Sequence, residues 1–304
     1  MLDETAKGVF TIAATPFLPN GALDLDSVDR MVDFYVERGV TGLTILGMMG
    51  EAGKLTASES VTMIKRVITR TDLPVVVGVS APGFAAMGAL ADEAMSAGAA
   101  GVMVTPTTGL RSDDQIAGYY HNTAKTLGDA PFVLQDFPLA TGVTIPAKVI
   151  LQIVADCPTC VMLKHEDWPG LDKVSALRAG SEAGARRISI LCGNGGLFLP
   201  EEMLRGADGA MTGFAFPEMM VDVVAAMEAG ELERARDLFD AYLPLVRYET
   251  QPGLGLAIRK HILARRGAVA HETVRAPGPK LNAATLAEID GLLVRQERRL
   301  AGLG

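Results

Sequence analysis

A lysine at the end of an apolar run is the residue of this sequence best placed to act as a nucleophile. Lys164 follows the run Cys-Val-Met-Leu at residues 160–163, which is typical of a buried strand. An amine at that end is partly desolvated, which disfavours the charged ammonium and leaves more free amine. A free amine can attack a ketone and form an imine. Alternatively, Lys164 pairs with Glu166 or Asp167 and extends to solvent, as lysines at strand ends often do.

Eight short apolar or β-branched runs divide the sequence, and each stops at residues suited to a loop. The runs are residues 9–15, 42–46, 75–79, 101–105, 132–135, 161–164, 188–192 and 209–212. Their spacing suits a strand followed by a crossover helix, and uninterrupted apolar strands are buried on both faces. Eight such units predict an α/β fold, a closed (β/α)8 TIM barrel.

The helical segments predict how the chain is divided. Thr56 and Glu59 are spaced as a capping box, in which two side chains satisfy backbone N–H groups at a helix start. The eight units end near residue 230, and the remainder is helical in pattern. We therefore predict a barrel at residues 1–230 and a C-terminal helical subdomain at residues 231–304, with no linker between them.

The active site of such a barrel lies at the carboxyl ends of the strands, where eight loops converge. Those ends hold Lys164, Gln135, Asp136, Thr212, Gly213 and the glycine-containing segments 47–51 and 193–196. Because side chains alternate along a strand, Glu166 faces the same side as Lys164, and His165 turns outward. Glu166 is a candidate acid or base, and an ion-pair partner that only orients Lys164 is an equal alternative.

Composition and charge exclude several classes of protein. The chain has 304 residues, a formal net charge of -8 and a pI near 5.1, which disfavour binding to nucleic acid or to an anionic membrane. The longest uncharged stretch, residues 75–91, is interrupted by Pro82 and Gly83 and is too short to span a bilayer. Three cysteines cannot form a disulfide framework, and the acidic start lacks the order of a signal peptide. We predict a cytoplasmic protein.

No cofactor and no metal are predicted. Cys157 and Cys160 form half of a zinc or redox motif, but no second pair accompanies them, and a zinc site needs four ligands. The four histidines are dispersed, without the spacing of metal ligands. Segment 193–196 lacks the glycine order of a nucleotide-binding turn and is better suited to let the backbone approach a substrate.

Four segments resemble the dihydrodipicolinate synthase / N-acetylneuraminate lyase family in their order and spacing. They are Gly-Met-Met-Gly-Glu at 47–51, Gln-Asp-Phe-Pro at 135–138, Met-Leu-Lys-His-Glu at 162–166 and Gly-Ala-Asp-Gly-Ala-Met-Thr-Gly at 206–213. The family joins one barrel lysine to the ketone of a 2-oxo acid as a Schiff base. The resemblance therefore implies that role for Lys164, and a small-molecule 2-oxo acid as substrate.

The sequence departs from the family pattern where the substrate binds. The turn after the second strand usually carries hydroxyl residues that hold the substrate carboxylate and relay a proton, and here they are Met48 and Met49. The backbone N–H groups of that turn can still bind a carboxylate. Gly47, Met48 and Met49 are therefore predicted to bind substrate, without the hydroxyl relay. The family's tyrosine at the fifth strand is Gln135, which forms hydrogen bonds but does not titrate near neutral pH.

Further differences argue against a dihydrodipicolinate synthase. Ala140 stands where the synthases carry an arginine for the carboxylate of aspartate semialdehyde, and Thr107 and Thr108 replace the family's second tyrosine region. The Gln-Asp pair, the Met-Thr-Gly after the eighth run and segment 243–251 resemble the 2-keto-3-deoxy sugar acid dehydratases of the family, the 2-keto-3-deoxyarabonate type most nearly.

The resemblance implies a Schiff-base lyase, preferentially a dehydratase of a 2-keto-3-deoxy sugar acid. Lys164, Gln135 and Glu166 are the predicted catalytic residues, and Gly193 and Met211 join the turn as predicted substrate-binding residues. One alternative is a pyruvate-dependent aldolase, of the dihydrodipicolinate synthase or the N-acetylneuraminate lyase type. Another is a barrel that binds a 2-oxo acid as a sensor, without catalysis. A homo-oligomer, dimer or tetramer, is expected.

Overall fold

The structure is a computed structural model, and it describes residues 1–168 and 170–303. Eight parallel strands form its centre: β1 (Gly8–Ile12), β2 (Gly42–Ile45), β3 (Val75–Gly78), β4 (Gly101–Val104), β5 (Phe132–Asp136), β6 (Cys160–His165), β7 (Ser189–Cys192) and β8 (Gly209–Ala210). Each strand pairs with the next one along the chain, and β8 pairs with β1 to close the barrel. The predicted (β/α)8 fold is confirmed.

Helices connect the strands and surround the barrel. They are α1 (Leu25–Glu37), α2 (Ala57–Arg70), α3 (Phe84–Ser96), α4 (Asp113–Leu127), α5 (Pro138–Thr141), α6 (Ala147–Asp156), α7 (Leu171–Glu182), α8 (Leu199–Leu204), α9 (Pro217–Glu228), α10 (Leu232–Glu249), α11 (Gly255–Arg265) and α12 (Ala283–Ala301). The predicted capping box begins α2. The Thr56 hydroxyl accepts from the Glu59 N–H, and the Glu59 carboxylate accepts from the Thr56 N–H at 2.9 Å.

Some strand ends differ from the sequence prediction because the chain leaves or prolongs the hydrogen-bonded ladder. β1 ends at Ile12 rather than at residue 15. Thr15 lies beyond the strand, and its hydroxyl donates to the Gly50 carbonyl at 2.5 Å. β8 is shorter than predicted and ends at Ala210. β6 is longer than predicted and ends at His165, which still pairs with β5. These ends determine which side chains reach the mouth of the barrel.

Apolar side chains form two layers on the two faces of the strands. The inner layer fills the barrel and includes Phe10, Ile12, Val76, Met103, Val133, Met162, Leu191 and Met211. The larger outer layer lies between the strands and the helices. Because the barrel interior is packed with apolar side chains, polar chemistry is confined to the carboxyl ends of the strands.

The helices after residue 230 share the outer layer with the barrel. Phe239, Val246, Ile258 and Ile289 are buried in the same apolar cluster as the strand side chains. α10 packs against α9 on one side and α12 on another. The boundary at residue 230 stays a prediction, since both parts contribute to one core. None of the helices in the described ranges is both long and apolar enough to cross a bilayer.

Candidate active site

Lys164 lies at the carboxyl end of β6 with its side chain inside the barrel. The residue is 5% exposed, so the amine does not extend to solvent. Its Nζ lies 3.0 Å from Glu166 Oε2. The apolar run before it places Met162 and Leu163 in the two apolar layers, which fixes the position of the lysine at the top of the inner layer. This contact places a nucleophile, the amine, beside a proton acceptor, the carboxylate.

Glu166 accepts hydrogen bonds from strand β5 and from the loop after β7. Gln135, in register with Lys164 on β5, donates its Nε2–H to Glu166 Oε2 at 2.6 Å. On the other side, the backbone N–H of Asn194 donates to Glu166 Oε1 at 3.4 Å. A Cβ on Gly193 would lie 2.1 Å from Glu166 Cγ, so only glycine permits this approach. The structure thus brings Lys164, Gln135, Glu166 and Gly193 together.

His165 and Asp136 lie on the outer face of the same strands, behind Lys164. His165 Nδ1 is 3.0 Å from Glu202 Oε2 on α8. Burial lowers the pKa of His165, but Glu202 and Asp136 outweigh burial and leave that pKa raised. Burial raises the pKa of Asp136 to about 6, although Lys173, at 2.7 Å, opposes the shift. The outward turn of His165 is as strand alternation predicts.

The turn after β2 presents backbone N–H groups. Met48–Gly50 forms one 3-10 turn, which Glu51 closes in the left-handed conformation with φ 56°. Among the residues that the structure describes, the amides of Met48 and Met49 donate to no protein acceptor. Met49 packs against the inner layer, whereas Met48 is 44% exposed. The turn can therefore bind an anion through its backbone, and of the two methionine side chains only that of Met49 lies against the interior.

Strained backbone lies beside this turn. Leu46 has φ 55°, and its carbonyl oxygen would lie 2.4 Å from a Cβ on Gly78 of the next strand. A left-handed leucine is costly, and such conformations concentrate at functional sites. Asn194, after β7, has φ 47°. In the described chain, the positive-φ residues other than glycine are Leu46, Asn194 and Glu51, all at the carboxyl edge of the barrel.

The loops after β7 and β8 are joined by a hydrogen bond. The Gly195 N–H donates to Thr212 Oγ1 at 2.8 Å, and Asn194 Nδ2 donates to the Glu166 carbonyl at 2.9 Å. Met211 is fully buried in the inner layer, so it contributes to the floor of the site rather than to its mouth. The loop at residues 193–196 therefore donates hydrogen bonds to both the backbone carbonyl and the carboxylate of Glu166.

Sequence reasoning missed a group of buried charges on the C-terminal helices. Arg259 donates to Glu249 Oε1 at 2.5 Å and also to the carbonyl of Gly213, which follows β8. Lys260, the next residue, donates to the Thr15 carbonyl at 2.7 Å and to the Glu51 carboxylate. The signal was present in the sequence, because two adjacent cations interrupt the otherwise apolar start of α11. The partners Gly213, Thr15 and Glu51 could not be inferred, since they lie far away along the chain.

No metal cluster is found in residues 1–168 and 170–303: no group of three His, Cys, Asp or Glu side chains there could hold an ion. Cys157, Cys160 and Cys192 are free and buried. Burial raises the pKa of Cys160 to about 12, so its thiol stays protonated and inert. Cys157 and Cys160 both pack in the outer apolar layer.

The fold and the site define a class of proteins: (β/α)8 barrels with a buried lysine and carboxylate at the carboxyl ends of the strands. Comparison with known proteins specifies this class further. Residues 5–295 match the model of the dihydrodipicolinate synthetase family, and the chain belongs to that family. The resemblance inferred from the sequence is confirmed. Lyases and dehydratases are found among its members.

The relatives of this chain differ from one another in activity. The chain is 29% identical over 301 residues to the L-2-keto-3-deoxyarabonate dehydratase of Azospirillum brasilense, covering 93% of this chain and 92% of that protein. It is 28% identical to the 4-hydroxy-tetrahydrodipicolinate synthase of Chlorobium luteolum, covering 95% and 97%. A crystal structure of dihydrodipicolinate synthase from Rhodopseudomonas palustris has a TM-score of 0.95 and 52% identity, covering 97% and 99%.

Proposed function

We propose that this protein is a Schiff-base-forming lyase that acts on a 2-oxo acid, and that its preferred reaction is the dehydration of a 2-keto-3-deoxy sugar acid. The observation that carries the proposal is the buried contact of 3.0 Å between Lys164 Nζ and Glu166 Oε2. Membership of the dihydrodipicolinate synthetase family and similarity to a 2-keto-3-deoxyarabonate dehydratase support it.

The first part of the mechanism forms the imine. Glu166 takes a proton from the Lys164 ammonium across their contact, and the free amine adds to the C2 ketone of the substrate. Glu166 returns that proton to the hydroxyl group of the carbinolamine, which leaves as water and gives an iminium. The positive charge of the iminium acidifies the C3 protons, because the electrons of the C3–H bond can move toward nitrogen.

The second part removes a proton and a hydroxyl group. A base takes a C3 proton, which leaves an enamine, and the enamine expels the C4 hydroxyl group, which takes up a proton and leaves as water. Water then hydrolyses the imine and returns the free lysine. Gln135 cannot titrate near neutral pH, so we assign the proton transfers to Glu166, with Gln135 holding its carboxylate at 2.6 Å.

The turn of Gly47, Met48 and Met49 is assigned to the substrate carboxylate. Its free amides supply the donors, and an anion site needs donors more than hydroxyl side chains. The buried methyl groups around Met49 and Met211 exclude water from the reacting carbons, which strengthens the polar contacts at the imine. Gly193 allows Glu166 to lie close to its loop.

A second candidate is pyruvate-dependent aldol chemistry. The same enamine can attack an aldehyde, or form when a C3–C4 bond breaks, so the lysine serves both reactions. The 52% identity to the Rhodopseudomonas palustris protein, described as a dihydrodipicolinate synthase, favours this candidate. Against it, α5 carries the exposed Ala140 rather than an arginine, and all five tyrosines lie on helices rather than on strands.

A substrate screen distinguishes these candidates and the sensor. A panel of 2-keto-3-deoxy sugar acids is incubated with the protein, and loss of substrate and release of pyruvate are measured in parallel. A dehydratase consumes substrate without releasing pyruvate, whereas an aldolase releases one pyruvate for each substrate consumed. Pyruvate with aspartate semialdehyde is added as a third assay for the synthase. Binding without turnover in all assays would leave the sensor.

Cellular setting and assembly complete the proposal. We propose a cytoplasmic homo-oligomer, a dimer or tetramer. The three buried, free cysteines support a reducing compartment. The exposed apolar side chains of Leu139, on α5, and of Trp168, in the loop after β6, support a contact surface between copies.

A further inference from the structure

Lys260 is a buried cation on α11, and each proton of its ammonium group has a hydrogen-bond acceptor. The residue is 2% exposed. Its Nζ donates to the carbonyls of Thr15 at 2.7 Å and Thr273 at 2.8 Å, and to Glu51 Oε1. An ammonium has three protons to donate, so each has an acceptor here. Nζ also lies 4.6 Å from the centre of the Phe17 ring, within reach of a cation–π interaction.

Two of these acceptors belong to the edge of the candidate active site. Thr15 follows β1, and its hydroxyl donates to the carbonyl of Gly50 inside the turn after β2. Glu51 closes that turn with a left-handed backbone. Lys260 therefore binds the carbonyl of Thr15 and the side chain of Glu51 at the same time, and so fixes the end of β1 against the end of the turn.

Both oxygens of the Glu51 carboxylate accept hydrogen bonds. While Oε1 accepts from Lys260, Oε2 accepts from Lys54 Nζ at 2.8 Å and from the Arg275 backbone N–H at 3.0 Å. Burying such a pair costs desolvation, and packing alone could be provided by an apolar side chain. The buried pair of Lys260 and Glu51 is therefore better explained by a role in positioning the turn after β2 than by a contribution to stability.

We propose that Lys260 is a positioning residue of the 2-oxo acid site. Through Thr15 and Glu51 it holds the turn so that the amides of Met48 and Met49 face the substrate carboxylate. This inference depends on the proposed function. It gives α11 a role in substrate binding, because the turn lacks hydroxyl side chains and relies on the placement of its backbone.

Arg259 makes the same kind of connection to a different loop. Its guanidinium donates to the Gly213 carbonyl after β8, and Glu249, which neutralises it, accepts from the Ala215 N–H at 3.1 Å. α11 thus contacts the ends of β8, β1 and β2 through two adjacent cations, each paired with one buried glutamate. Because Arg259 binds the Gly213 carbonyl, the position of α11 is fixed, and Lys260 on the same helix is fixed with it.

The test is borohydride trapping of the pyruvate adduct at increasing pyruvate concentration. We compare the wild type with Lys260→Met and with the double variant Glu51→Gln/Lys260→Met. The double variant also removes the charge of the buried Glu51 carboxylate, and it serves if the single variant folds poorly. Lys148→Met is the control, because Lys148 is a surface lysine in an ion pair with Asp113. The readout is the pyruvate concentration that gives half-maximal trapping in folded protein.

A positioning role predicts that half-maximal trapping needs roughly tenfold more pyruvate in both Lys260 variants, the effect of losing about one charge-assisted hydrogen bond to the substrate carboxylate. Lys148→Met should match the wild type. A purely structural ion pair would lower the melting temperature but leave that concentration unchanged, and this result would overturn the inference. If the wild type forms no adduct, the proposed function itself fails, and the role of Lys260 with it.

Discussion

A carboxylate, an amide and an amine occupy the place where chemistry is expected. Glu166 Oε2 contacts both Lys164 Nζ and Gln135 Nε2, while Gly193 and Asn194 hold the other side of Glu166. Gln135 is a donor that cannot exchange its protons as an acid near neutral pH. Proton transfer to or from the substrate thus falls to Glu166 in the proposed mechanism.

Replacing Glu166 by glutamine should separate imine formation from turnover. We expect kcat to fall by about 100-fold or more, which is typical of losing a general acid or base. Pyruvate should still be trapped on Lys164, although more slowly, because the amine is still present and can lose its proton to water instead of to Glu166. Asp167→Asn is the matched control, since Asp167 is an adjacent carboxylate that pairs with Lys173 instead. Equal turnover in Glu166→Gln and wild type would remove Glu166 from the mechanism.

The glycine before Asn194 offers a steric test of the same carboxylate. In Gly193→Ala, the new Cβ would lie 2.1 Å from Glu166 Cγ, so the side chain must move. A displacement of this size should lower kcat by about 100-fold. Gly118→Ala serves as the control, because a Cβ there meets no atom within 4 Å. Steady-state kinetics of both variants check the prediction, and an unchanged kcat for Gly193→Ala would contradict it.

At the scale of strands and helices, local patterns predicted what lies along one segment but not what packs against it. Apolar runs predicted all eight strands, and Thr56 with Glu59 predicted the start of α2. Strand alternation likewise placed Glu166 with Lys164. The contact between His165 and Glu202 could not be predicted, because it depends on how α8 packs against β6. The same holds for Lys260, whose acceptors Thr15 and Glu51 lie 245 and 209 residues away along the chain.

The charges behind β5 and β6 predict a pH dependence of stability. The pKa of Asp136 is raised from 3.8 to about 6 in the folded state, so folding is favoured by its neutral form. That contribution is complete below pH 3.8 and is lost as the pH rises through about 6. Relative to Asp136→Asn, the free energy of unfolding of the wild type should fall by about 2 kcal/mol between pH 4 and pH 7.

Urea unfolding of both proteins across this range checks the prediction. Asp136 faces Lys173, Asp167 and His165, whose charges act on its ionisation. The difference between the two proteins removes titrations that they share. A difference that stays constant from pH 4 to pH 7 would mean that folding does not raise the pKa of Asp136, which would contradict the prediction.

At the scale of the whole molecule, the C-terminal helices contribute to the barrel's core. Phe239 and Ile258 belong to the outer apolar layer, and Arg259 and Lys260 reach the carboxyl ends of the strands. The predicted boundary at residue 230 therefore separates two parts of the sequence that share one core. We infer that the two parts fold as one unit.

Truncation after residue 230 tests this inference. Without α10 and α11, the outer layer loses buried side chains such as Val246 and Ile262, and Glu51 loses the Lys260 ammonium. The fragment of residues 1–230 should show no cooperative thermal unfolding by circular dichroism, whereas the full chain should show one transition. A cooperative transition in the fragment would establish a barrel that is stable by itself.

The central claim is that Lys164 forms a Schiff base with a 2-oxo acid. The most direct measurement incubates the full chain with pyruvate and sodium borohydride, digests it, and locates the modified residue by mass spectrometry. The account predicts one reduced pyruvate adduct, on Lys164, and its loss in Lys164→Ala. An adduct on another lysine, or one that persists in Lys164→Ala, would contradict the account.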